Sequence, residues 1–85
     1  MFKRINVRSG RNPVEYTTMG TTSLNEIKNW LGADDLEGSI VRVRGITMTA
    51  FQNRSAVRQL NDFATGMTGE AIHGDCVLIE KGGTH

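Results

Sequence analysis

Eighty-five residues, 38% of them hydrophobic and 22% charged, make one small globular domain and exclude a disordered chain. A net charge of +1 demands no polyanionic partner, and no apolar run nears the roughly 18 residues of a membrane-spanning helix. Cys76 is the only cysteine, which excludes an intramolecular disulfide; with no signal peptide in view, the expected compartment is the cytoplasm.

Residues 1–13 read as a basic, irregular segment. Lys3, Arg4, Arg8 and Arg11 crowd it, while Ser9, Gly10, Asn12 and Pro13 interrupt regular structure. A single α/β domain is expected over residues 14–81, followed by a frayed tail at 82–85. Val14-Glu15-Tyr16-Thr17-Thr18-Met19 has β-forming composition and reads as the first strand. Ser23 and Glu26 form a capping box, and Leu24, Ile27, Trp30 and Leu31 follow at helical spacing until Gly32 stops the helix.

Residues 39–44 predict a second strand, rich in β-branched Ile40, Val41 and Val43. Residues 45–51 either prolong it or form a loop. Asn53 is the expected N-cap of a second helix carrying Ala56, Leu60, Phe63 and Met67 at spacings of four, three and four. A closing hairpin is expected, with Ala71-Ile72-His73 and Cys76-Val77-Leu78-Ile79 flanking Gly74-Asp75. The resulting order is β-α-β-α-β-β: an α/β (α+β) two-layer sandwich, with two helices packed on one face of a small mixed sheet.

Such a sheet has a second face to cover. Four consecutive apolar residues at 76–79 put side chains on both faces, and Ile40 points away from Val41 and Val43. Ile40, Cys76 and Leu78 are therefore expected to line a homodimer interface of stacked sheets.

The chemical inventory is thin. His73 and His85 stand at no metal-ligand spacing with Cys76, and Asp34, Asp35 and Glu37 lack the pattern of a calcium loop. No phosphate-cradling or nucleophile-elbow motif occurs, so no enzyme and no cofactor is expected.

Asp62-Phe63-Ala64-Thr65-Gly66-Met67, followed by Gly69-Glu70-Ala71-Ile72 and Cys76-Val77-Leu78-Ile79, resembles the core of the SepF cell-division family. The resemblance implies a homodimeric, non-enzymatic assembly protein that binds FtsZ and organises the division ring. It places partner binding at Phe63 and at Arg58, beside Gln59 where the family carries its helix arginine. Gly69 would match a strand-start glycine at the packed dimer seam. Met1-Phe2-Lys3-Arg4-Ile5 is too short for the stable membrane contact that the family makes. Two further readings stand beside this one. One is a small nucleic-acid-binding module using Lys3, Arg4, Arg8, Arg11, Arg42, Arg44, Arg54 and Arg58; the other is a small adaptor or inhibitor.

Overall fold

The computed structural model describes residues 1–54 and 58–85. In chain order it contains β1 (Phe2–Val7), β2 (Val14–Thr18), α1 (Leu24–Leu31), β3 (Leu36–Val43), β4 (Ile46–Asn53), α2 (Asp62–Thr68) and β5 (Cys76–Glu80). The strands form one sheet in the order β2-β1-β5-β4-β3, and every neighbouring pair is antiparallel. The expected β-α-β-α-β-β order and mixed sheet are thus replaced by β-β-α-β-β-α-β and an antiparallel sheet.

The correction begins at the N-terminus. Residues 2–7, read as irregular, form a strand inside the sheet, with Ile5 opposite Leu78 and Val7 opposite Cys76. Ile5 and Val7 point to one side and are fully buried, while Arg4 points to the other. Arg4 is itself only 3% exposed; its guanidinium lies 3.7 Å from Glu26 and 5.7 Å from the Tyr16 ring centroid. A basic composition hid a strand whose alternation rests on two short apolar residues.

The helices do not share a face. Ala64 and Met67 of α2 pack with Ile5, Val7, Val41, Val43, Met48, Ala50, Cys76 and Leu78. Ile27, Trp30 and Leu31 of α1 pack with Phe51, Val77 and Ile79. Successive strand residues face opposite sides, so these two clusters lie across the sheet from each other. The molecule has three layers, helix on sheet on helix, in place of the expected two. All four residues of the 76–79 run are fully buried, each contributing about 1.5–3 kcal/mol of apolar burial where the side chain is large.

The sheet also curls. Arg44 and Gly45, at φ 50° and 82°, make the two-residue turn that joins Val43 to its partner Ile46. From that turn the Arg44 guanidinium reaches Glu15 of β2 at 2.6 Å, and Lys3 reaches the same carboxylate at 2.9 Å. In a flat sheet the two sites would stand three to four strand spacings apart, about 15–19 Å. The contact requires the edges to bend toward each other around the α2-side core.

α1 matches its expectation, with the Ser23 Oγ accepting the Glu26 amide at 3.1 Å and Gly32 as C-cap. α2 is shorter than expected. Asn53 ends β4, Ala56 lies outside the described residues, and Leu60 makes an isolated bridge to His73. The cap is Asn61, which is buried and holds the Ala64 amide at 3.1 Å. Residues 71–73 form no full hairpin arm, because His73 pairs with Leu60 and not across the turn. Residues 82–85 are bound in place: Thr22 N donates to Gly83 O, His85 N to Thr22 O, and Leu24 N to His85 O, at 2.8–3.2 Å.

Candidate functional site

Five separate segments converge at the end of the sheet where β1 and β4 finish and β5 begins. Ser9 comes from the β1–β2 loop, Leu31 from the end of α1, and Asn53 from the end of β4. Arg58 and Gln59 precede α2, and His73, Gly74 and Asp75 precede β5. Together they line an open cavity of about 290 Å³.

One wall is a fixed polar network. Asp75 accepts the Ser9 amide at 2.9 Å and the Arg8 guanidinium at 2.8 Å. The guanidinium lies 3.7 Å from the centre of the Trp30 ring and also donates to the Trp30 carbonyl at 3.2 Å. Partial burial pushes the Asp75 pKa up, but the Ser9 amide and Arg8 outweigh it and hold the carboxyl below its ordinary value.

The opposite wall is held by backbone. His73 Nδ1 lies 3.2 Å from the Arg58 carbonyl, which can only accept, so Nδ1 carries a proton. The His73 amide donates to Gln52 at 3.1 Å. The stem of Arg58 lies directly over Gly74; a β-carbon there would come within 2.8 Å of Arg58 Cγ. Behind both, Asn61 Nδ2 donates to the carbonyls of Val7 and Gly74.

Ser9, His73 and Asp75 share this cavity without forming a catalytic relay. Asp75 spends its oxygens on Arg8 and the Ser9 amide, and His73 Nδ1 faces a carbonyl where a relay would need the carboxylate. Among the described residues no three His, Cys, Asp or Glu side chains gather as a metal site. The arrangement is suited to holding a group, with the Arg58 guanidinium making no hydrogen bond or ion pair among the described residues.

Of the partner-binding and interface residues singled out in the sequence, Arg58 lines this cavity, and so does His73, which the sequence weighs as a ligand and sets aside. Phe63 stands on α2, 43% exposed. Ile40 lies on the edge strand β3, 65% exposed. Cys76 and Leu78 are sealed beneath α2, not on an open face, and burial pushes the Cys76 thiol up to about 12. Gly69 caps the C-terminus of α2, with nothing within 4 Å of where a β-carbon would sit. Ser9, Gln59 and Asp75 are not legible as members of one site in the sequence, because they lie far apart in the chain. The one available signal was the polar trio His73-Gly74-Asp75 just before the most apolar strand.

No helix among the described residues is long and apolar enough to cross a membrane. In comparisons with known proteins, no family model, no curated protein and no solved structure matches this chain.

Proposed function

We propose that this protein is a non-enzymatic cytoplasmic binding module that takes an acidic, partly apolar segment of another protein at its loop end. The observation that carries the reading is the run leading into α2. Arg58 lines the cavity, its charge acting on Asp75 without a hydrogen bond or ion pair among the described residues, and Leu60 and Phe63, 44% and 43% exposed, follow it outside the core. Arginine and aromatic side chains of this kind anchor most of the energy in protein interfaces. A cation beside two apolar residues selects a carboxylate flanked by apolar groups. The resemblance at residues 62–67 names the first such peptide to try, the FtsZ C-terminal tail.

Nucleic acid is favoured less. Of the eight basic residues considered for it, Lys3, Arg4, Arg8, Arg44 and Arg54 are each paired with a carboxylate, and Arg4 is buried. Arg42 and Arg44 do not share a strand face, because Arg44 occupies the turn.

Trp30 stacks on the cavity wall through Arg8, so its emission serves as the reporter. Titration with FtsZ-tail and scrambled acidic peptides is expected to give saturable binding, lost in Phe63→Ala and Arg58→Glu variants with unchanged circular dichroism. Binding that ignores both substitutions, or none with any acidic peptide, sinks the proposal.

A further inference from the structure

The sheet has two edges, β2 and β3, and they differ in character. β2 is five residues long, begins next to Pro13, and has Glu15 tied to Lys3 and Arg44. β3 is eight residues long and contains neither proline nor lysine; its two charges, Glu37 and Arg42, are opposite in sign and stand toward opposite ends.

Along β3 the side chains facing the α1 side are Leu36, Gly38, Ile40 and Arg42. Ile40 is exposed there with no cover from its own chain. Gly38 leaves a recess beside Phe51; a β-carbon at Gly38 would stand 3.4 Å from Phe51 Cε1. Charge is divided between the ends. Asp34 and Asp35 precede the strand, Arg42 stands next to its last residue, Val43, and Asp34 makes no ion pair among the described residues. Among the described residues Arg42 donates only to the carbonyl of its own turn at Gly45.

The geometry points to a homodimer formed by antiparallel pairing of two β3 edges about a two-fold axis at Ser39. In that register Ile40 faces Gly38 of the partner subunit and fills the recess beside Phe51 of the partner subunit. Arg42 faces Leu36 of the partner subunit, with its charged end toward Asp34 of the partner subunit. Both contacts occur twice, as two-fold symmetry requires. The side chains that meet lie on the same face, because antiparallel partners share one. The occupant is a second copy because an antiparallel β3 brings the acidic start against the basic end; a parallel strand of the same sequence would set like charges together. The two five-stranded sheets become one.

The test is sedimentation equilibrium on the full chain. The wild-type protein is expected to dimerise, Ile40→Lys to be monomeric, and Gly38→Ala to weaken the dimer about tenfold or more by filling the recess. The Gly38 substitution leaves the monomer intact, since the added methyl meets Phe51 at ordinary contact distance. Asp34→Arg and Arg42→Asp are each expected to weaken self-association, and a mixture of the two to recover it as a heterodimer. That last arm decides the matter even if Ile40→Lys fails to fold. A wild-type monomer at every concentration, or an unchanged dimer in both Gly38→Ala and the charge variants, overturns the proposal.

Discussion

Asn61 Nδ2 donates to the Val7 carbonyl at 3.1 Å, joining positions 54 residues apart in the chain. The same amide group donates to Gly74 O at 2.8 Å, while Oδ1 accepts the Ala64 amide and starts α2. One fully buried side chain therefore holds the end of β1, the start of α2 and the turn before β5 together.

Asn61→Ala is expected to destabilise the protein by about 2–4 kcal/mol, combining a lost cap with two buried carbonyls left without donors. Asn61→Asp preserves the capping oxygen but sets a carboxylate against those carbonyls, so it is expected not to rescue stability at neutral pH. Urea unfolding of the two variants distinguishes these contributions; recovery in the aspartate variant would show that the cap alone matters.

Arg8 over Trp30 gives a local optical prediction. Arg8→Ala is expected to shift Trp30 emission to the red and to cost about 1 kcal/mol, since the pair is partly exposed. Arg8→Lys keeps the charge near Asp75 but lacks the flat guanidinium, so its emission is expected to resemble the alanine variant.

Stability is expected to fall on the acid side. The Asp75 carboxyl is held below its ordinary 3.8 despite burial, and Glu15, bonded to Arg44 and then Lys3, is held below its ordinary 4.5. A group whose folded pKa is depressed stabilises the fold above its unfolded pKa and loses that contribution as pH falls through the folded value. Urea midpoints are thus expected to decline below those ordinary values, less steeply in Asp75→Asn. The Glu15 share comes from ion pairs at the solvent-facing surface and should fade in high salt.

Gly83→Ala tests the C-terminal strap. A β-carbon there would come within 2.7 Å of Ile79 Cγ2 and 2.9 Å of the Glu80 carbonyl. The expected loss is about 1–3 kcal/mol, with faster hydrogen exchange at the Thr22 and His85 amides. Cys76 supplies an independent readout: buried and with its thiol pushed up to about 12, it should react with thiol reagents only as the protein opens.

What the chain order alone determined was local. α1 lies where the serine cap, the 24-27-30-31 spacing and Gly32 placed it, because those signals act within a few residues. β2, the core of β3 and the buried run of β5 were legible from β-branched and apolar composition for the same reason. The apolar run at 76–79 truly demanded cover on both faces, but composition could not say whether a second helix or a second molecule supplied it. Only tertiary packing decided that α1 and α2 take opposite faces, that basic residues 2–7 become an inner strand, and that Ser9, Arg58 and Asp75 meet at one cavity. Each of those outcomes depends on contacts between residues tens of positions apart, where burial outweighs local preference and no short-range pattern carries the information.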